Sequence, residues 1–197
     1  MEKNIKVGSG FLRGKKLFSP SAEITRPNSQ RAREALFNVL RGGKFADLPF
    51  EKMVDCFGGS GVVSIEALSQ NVAKKAVCVE MDRNAYKVVK TNFDSCSEQL
   101  EDGSYSYVNA DVVSEIANHS DADLLYCDPP YSSDVLAKLV NKVCSMDWKK
   151  SEDLLIVVST DSLEYAKTGR KELLEKNFRI LDERKYGKNL LVFCKLK

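Results

Sequence analysis

From about residue 51 onward the chain alternates short, mostly apolar runs with segments whose apolar positions recur every three or four residues. Residues 52–57, 76–80, 105–109, Leu124–Cys127 and 154–159 read as five strands. Between and after them, residues 60–69, 83–93, 112–117, 135–144 and 163–176 carry the helical period. Runs apolar at consecutive positions, such as Leu124-Leu125-Tyr126-Cys127, belong to strands buried on both faces. Regular strand–helix alternation of this kind predicts a parallel sheet covered on both sides. The end of the chain differs: residues 178–185 and 190–194 are separated only by a turn at Gly187 and are expected to pair antiparallel.

The first 44 residues follow another pattern. Residues 5–11 and 15–18 read as two short strands around Arg13-Gly14, and Thr25-Arg26-Pro27 then leads into a helix. Asn28 is the expected N-cap. Ala32, Ala35, Leu36, Val39 and Leu40 share one face, Arg31 and Arg33 flank it, and Gly42-Gly43 ends the helix. The predicted organisation is a basic extension over residues 1–44, on the substrate side, and a main domain over 45–197. The fold class is α/β: a Rossmann-like, seven-stranded, mostly parallel sheet with a C-terminal antiparallel hairpin, plus a small N-terminal β-hairpin and helix.

Composition narrows this modestly. A length of 197 residues suits one domain with an appendage, and the apolar fraction of 43% is that of an ordinary globular chain. No apolar run is long enough to span a bilayer, and the N-terminus lacks the layout of a signal peptide, so a cytoplasmic protein is expected, with monomer as the default state. None of the six cysteines forms a Cys-x-x-Cys pair, and His119 is the single histidine. Buried reduced thiols are expected, and neither a metal site nor a histidine-based nucleophile is. The net charge of +2 conceals an asymmetry. Residues 1–44 hold ten Lys/Arg against three Asp/Glu, the remainder twenty against twenty-five. A basic arm of this kind suits a polyanionic partner, although a solvated terminal face would read the same way.

Chemistry concentrates at the ends of the predicted strands. Asp55-Cys56-Phe57-Gly58-Gly59-Ser60-Gly61 stands where the first strand of the main domain turns into a helix. Ligands of open parallel sheets bind outside such carboxyl ends, glycines allow close approach, and a helix N-terminus offers free N–H groups to an anion. Glu80, nineteen residues past Gly61, suits the two hydroxyls of a ribose. Met81 can cover an adenine face or fill the core. Asp111 can receive the adenine amine or cap a helix. This set is common to dinucleotide and S-adenosylmethionine enzymes. Two features favour S-adenosylmethionine, the terminal antiparallel hairpin and Asp128-Pro129-Pro130-Tyr131 after the fourth strand. There a carboxylate, an outward carbonyl of Pro129 and an aromatic ring form a rigid clamp for a flat NH2-bearing base. A plain strand-ending turn is the alternative.

These residues resemble the Asp/Asn-Pro-Pro-Tyr/Phe motif of methyltransferases that act on exocyclic base amines. More narrowly, the chain resembles the RsmD family of 16S rRNA guanine-N2 methyltransferases. The match rests on Gly14-Lys15-Lys16-Leu17 with Thr25-Arg26-Pro27, on Arg33 to Leu40, and on Asp55 to Gly61 running into Ile65-Glu66-Ala67-Leu68-Ser69. Val79 to Arg83 and the clamp complete it. Phe57-Gly58-Gly59-Ser60-Gly61 stands where the family usually has Phe-Ala-Gly-Ser-Gly, Asn28 where threonine is frequent, and Gln30 where an acid is frequent. The resemblance implies methyl transfer from S-adenosylmethionine to a guanine N2 of 16S rRNA; a 197-residue chain with a small arm has little surface for reading sequence, so a small-subunit particle is expected to present the base. Asp128, Pro129 and Tyr131 would then be catalytic. Asp55, Phe57, Gly58, Gly59, Ser60, Gly61, Glu80, Met81, Asp111 and Arg26 would hold the cofactor, Arg26 having an RNA phosphate or a surface ion pair as alternatives. Arg13, Lys15, Lys16, Arg31, Lys185 and Lys188 would meet phosphates. The clamp serves an adenine N6 amine on DNA or RNA equally well, and a non-catalytic RNA-binding assembly factor is a reading of another class.

Overall fold

The computed structural model describes residues 2–20, 30–45, 47–130 and 134–197. Two strands, β1 (Glu2–Lys6) and β2 (Lys16–Ser19), pair antiparallel, and α1 (Gln30–Arg41) follows them. The main domain then runs β3 (Met53–Asp55), α2 (Val62–Ser69), β4 (Ala76–Val79), α3 (Arg83–Asp94), β5 (Tyr105–Val108) and α4 (Val112–Glu115). After one 3-10 turn come β6 (Leu124–Cys127), α5 (Val135–Ser145), β7 (Leu155–Asp161), α6 (Ser162–Lys167), α7 (Arg170–Asn177), β8 (Phe178–Tyr186) and β9 (Asn189–Leu196). The seven strands of the main sheet stand in the order β5-β4-β3-β6-β7-β9-β8. The first five are parallel, and β9 is antiparallel to both its neighbours.

The two-residue period of each strand divides its side chains between two cores. Met53, Cys78, Leu124, Tyr126, Leu155, Val157, Leu191 and Phe193 face α1 and α2. Val54, Val77, Leu125, Cys127, Ile156, Val158 and Val192 face α5 and the residues around Tyr165 and Leu174. This is why the central strands read as unbroken apolar runs. All six cysteines are free thiols, and five of them are buried. Among the described residues, no helix is long and apolar enough to cross a membrane.

The N-terminal extension shares the first core, since Ile5, Val7, Leu12 and Leu17 are buried in it. Three polar anchors fix its place. The buried Arg33 and Glu66 side chains meet at 3.1 Å, and Glu66 Oε1 accepts the Gly8 N–H at 2.7 Å. Asn92 Oδ1 accepts the Phe18 N–H at 2.8 Å, while Asn92 Nδ2 donates to the carbonyls of Phe18 and Ser60. Ser69 Oγ accepts the Leu12 N–H at 2.8 Å. The strand predicted over residues 5–11 therefore stops at Lys6, because Gly8 and Gly10 leave the ladder to reach α2. The helix predicted over 163–176 is two helices. Gly169, with φ of 72°, ends one and starts the other, a left-handed position that the apolar period does not register. The predicted N-cap Asn28 lies outside the described residues.

Candidate active site

Strand order places the predicted cofactor and acceptor residues side by side. β3 sits between β4 and β6, so the loops after these three strands share the carboxyl edge of the sheet. β3 connects onward to β4 and β6 to β7, in opposite directions, so the switch point at which open α/β sheets form a ligand crevice lies between β3 and β6.

The loop after β3 is tightly built. Gly58 N–H donates to Val79 O at 2.8 Å, Gly61 N–H to Gly58 O at 2.7 Å, and Ile65 N–H to Gly61 O at 3.0 Å. A Cβ on Gly58 would lie 2.4 Å from Cys78 Sγ, so this glycine is matched to a buried cysteine on β4. Gly58→Ala should destabilise the fold by roughly 1–3 kcal/mol, the usual range for overpacking a core. Adding Cys78→Ala should recover most of that in a denaturant titration. Equal stability of the single and double variants would refute this pairing.

Asp55 ends β3 and is fully buried. Ser64 Oγ donates to its Oδ2 at 3.0 Å, while its Oδ1 is buried without a hydrogen-bond partner. Burial pushes its carboxyl up to about 7, against the Ser64 bond, and the neighbouring Asp128 adds to the rise. An orphaned buried oxygen of this kind suits a cationic donor brought by a ligand. Glu80 is half-buried and braces the same loop. Its Oε2 accepts the Gly59 N–H and its Oε1 the Asp82 N–H, each at 2.8 Å. Burial raises the Glu80 carboxyl as well, against those two backbone bonds. Each carboxylate oxygen has a second lone pair, so Glu80 can brace the loop and still accept two hydroxyls. Met81 is 68% exposed beside it, which removes the alternative of a core methionine. Asn109 Nδ2 holds the carbonyls of Glu80 and Met81 at 2.8 and 3.0 Å. Asp111 is exposed and caps α4, its Oδ1 accepting the Val113 N–H at 2.9 Å. Phe57 is half-buried and Ser60 buried within the loop. Asp55, Glu80 and Met81 fit a ligand with an ammonium, a vicinal diol and a flat heterocycle.

Across the crevice, β6 ends in Cys127 and delivers Asp128, Pro129 and Pro130. Asp128 is half-buried, Pro129 buried and Pro130 exposed. Burial pushes the Asp128 carboxyl up to about 6, opposed by a hydrogen bond from Ser159 and by the charge of Arg170. Two residues that the sequence pattern does not single out support this turn. Ser159 lies in β7. Arg170 opens α7, is buried, and donates from Nη2 to Pro130 O and from Nη1 to Thr160 Oγ1, each at 2.9 Å. The signal for Arg170 was local and faint, a cation following a glycine at the start of a helix, where the dipole disfavours positive charge. Tyr131 and Arg26 lie outside the described residues.

The predicted phosphate contacts separate into groups. Lys185 and Lys188 are exposed at the β8–β9 turn. That turn is tied to the carboxyl end of β7, where Ser162 N–H donates to Lys188 O, so it shares the edge with the clamp. Arg13 and Lys16 are exposed on the β1–β2 turn, which packs at the opposite end of α2 through the Phe11 N–H and Ser69 O. Lys15 is half-buried and donates to Ser95 O. Arg31 is exposed at the start of α1.

Known proteins agree with this architecture. The protein called Ribosomal RNA small subunit methyltransferase D of Haemophilus influenzae is 30% identical over 159 residues, 78% of this chain and 77% of that protein. Its namesake in Escherichia coli is 31% identical over 156 residues, 79% of this chain and 74% of that protein. A solved structure entitled "Putative methyltransferase yhhF from Escherichia coli" superposes with a TM-score of 0.76 at 26% identity, over 98% of both chains. The family described as Conserved hypothetical protein 95 matches residues 5–195, a span that takes in the arm, the glycine loop and the clamp alike. The chain therefore belongs to that family, the RsmD family whose motifs it carries.

Proposed function

We propose that this protein transfers a methyl group from S-adenosylmethionine to the exocyclic N2 amine of a guanine in 16S rRNA, presented by a partly assembled small subunit. The observation that carries the reading is the Asp128–Pro130 turn at the tip of β6, directly across the crevice from the glycine loop of β3 and its orphaned Asp55 oxygen. Relatives about 30% identical are named for methylation of small-subunit rRNA, which supports RNA as the class of substrate.

S-adenosylmethionine bound in the crevice supplies a methyl group on a positively charged sulfur. Asp55, with its free oxygen, faces the ammonium end, Glu80 takes the ribose hydroxyls, and the exposed Met81 lies against the adenine. Asp111 contributes at the edge of the adenine site as far as its capping role leaves an oxygen available. The guanine amine is a weak nucleophile because its lone pair is delocalised into the ring. Asp128 and the carbonyl of Pro129 accept its two N–H bonds, draw the nitrogen toward tetrahedral geometry and aim its lone pair at the methyl carbon. S-adenosylmethionine would supply the methyl group for the new N–C bond and would keep, on its sulfur, the electron pair of the bond that breaks. Positive charge develops on nitrogen, next to the Asp128 carboxylate. That nitrogen then loses a proton to Asp128 or to water. Tyr131 follows the clamp directly in the chain and stacks on the extruded base, a contact worth roughly 1–3 kcal/mol.

Lys185 and Lys188 meet backbone phosphates near the target nucleotide. Arg13, Lys16 and the 61% exposed ring of Phe11 meet RNA at the other end of α2, roughly 12 Å away at 1.5 Å per helical residue.

Incubation of the protein with methyl-labelled S-adenosylmethionine and undermethylated small-subunit rRNA, free and in particles, should label the RNA, and nucleoside digestion should place the label in N2-methylguanosine. Label in N6-methyladenosine would replace the target base, and absence of label from both RNA and particles would overturn the proposed reaction.

A further inference from the structure

Arg170 is a costly residue to bury. A guanidinium removed from water needs compensation from charge and hydrogen-bond acceptors, and the first turn of a helix, rich in unsatisfied N–H groups, offers neither. Arg170 nevertheless opens α7 with its side chain buried. Two of its hydrogen bonds run away from its own helix, to Pro130 O on the clamp and to Thr160 Oγ1 on β7, both at 2.9 Å. The fork thus ties together two segments that are 40 and 10 residues away along the chain. The carbonyl it holds belongs to the residue that follows Pro129, whose own carbonyl is the second acceptor of the proposed clamp. Its charge also acts on Asp128.

We propose that Arg170 is a positioning residue for methyl transfer: its guanidinium fixes the Asp128–Pro130 turn through Pro130 O and supplies the counter-charge that keeps Asp128 an ionised acceptor for the substrate amine. This rests on the methyl-transfer reading of the clamp. Three described groups act on Asp128. Ser159 on β7 hydrogen-bonds it, Arg170 on α7 attracts its negative charge, and Asp55 on β3 repels it. Arg170 is the cation in this set. Burial alone would carry the Asp128 carboxyl upward, and Arg170 and Ser159 hold that rise in check. Losing the cation therefore moves the pH at which Asp128 becomes ionised upward, and the rate should follow.

The test compares the wild type with Arg170→Met, Arg170→Lys and Thr160→Val, using methyl transfer to undermethylated small-subunit rRNA across the range from about pH 5 to pH 9. Arg170→Met should displace the acid limb to higher pH, each unit of displacement being a tenfold loss of rate on that limb. At alkaline pH it should lose only what the looser turn costs. Arg170→Lys keeps the charge without the planar fork, so its limb should stay in place while kcat falls at every pH. Thr160→Val should behave like Arg170→Lys, more mildly. KM for S-adenosylmethionine should stay within a few-fold in all three, since the proposed cofactor residues lie at the ends of β3, β4 and β5, away from Arg170. A second measurement does not depend on activity. Carboxyl carbon NMR of aspartate-labelled protein, with the Asp128 signal assigned through Asp128→Asn, should show Asp128 titrating at higher pH in Arg170→Met than in wild type. An unmoved limb and titration in folded Arg170→Met, or the same displacement in Arg170→Lys, would overturn the proposal. Should Arg170→Met not fold, an Arg170→Lys variant with wild-type kcat would overturn it as well. Failure of the methyl-transfer reading would appear separately, as an inactive wild type whose Asp128 titration still responds to Arg170.

Discussion

Asp128→Asn should lower methyl transfer by about 10²–10³-fold, the loss seen when a preorganised group that meets developing charge is removed. The change keeps the size and shape of the side chain. It replaces an anionic acceptor with a neutral amide, half of which is a donor pointed at the substrate's own N–H. Both effects act at the moment nitrogen becomes positive, so kcat should fall while affinity for S-adenosylmethionine stays within a few-fold. The pH profile adds a second signature. The wild-type clamp accepts N–H bonds only when Asp128 is ionised, and burial raises that carboxyl to about 6 against the Ser159 bond and Arg170. Wild-type rate should therefore rise as pH increases through that region and then level off. The Asn variant has no group to ionise there, so its residual rate should lack this limb. An Asn variant within threefold of wild type would mean that Asp128 ends a strand and does nothing more.

Local chemistry made most of the fold and half of the site legible in the chain. The glycine loop, Glu80 and the Asp128–Pro130 turn each lie within a few residues of a strand end, where apolar period, glycine and proline mark the spot together. What escaped was nonlocal. Arg170 reaches Pro130 across 40 positions, and Arg33, which reads as a flank of its helical stripe, is buried against Glu66 33 positions away. No periodicity records such meetings. Met81 and Asp111 each carried two sequence readings. The exposure of Met81 favours the ligand, whereas Asp111 spends one oxygen on the first turn of α4. The phosphate contacts show the same limit: the β1–β2 turn with Arg13 and Lys16 packs by the C-terminal end of α2 through Ser69, whereas Lys185 and Lys188 share the carboxyl edge of β7 with the clamp.

The largest stability effect is expected at Arg33 and Glu66, the pair that joins α1 to α2 and, through Gly8, to the arm. Both side chains are buried, 3.1 Å apart. Arg33 Nη2 also donates to Lys6 O at 3.0 Å, and Glu66 Oε1 accepts the Gly8 N–H at 2.7 Å. Burial pushes the Glu66 carboxyl above its ordinary value although Arg33 and the Gly8 N–H pull it down. The ion pair therefore falls short of offsetting the desolvation of its own carboxylate, and its removal as a unit differs sharply from its disruption. Arg33→Met leaves Glu66 buried with its countercharge gone, a change that costs about 3–5 kcal/mol. For a chain of this size that is a fall of roughly 6–20 °C in Tm. The double change Arg33→Met with Glu66→Leu leaves no charge stranded. It gives up hydrogen bonds such as those to Lys6 O and Gly8 N, at about 0.5–1.5 kcal/mol each. The double variant should thus be more stable than Arg33→Met alone in urea unfolding. In the single variant the amides of the arm around Gly8 should exchange with deuterium before those of β3 and β6, since the arm loses its anchor while the central sheet keeps both cores. If the single variant proves no less stable than the double one, Arg33 and Glu66 are not a coupled pair, and the arm is held by Leu12, Leu17 and Asn92 instead.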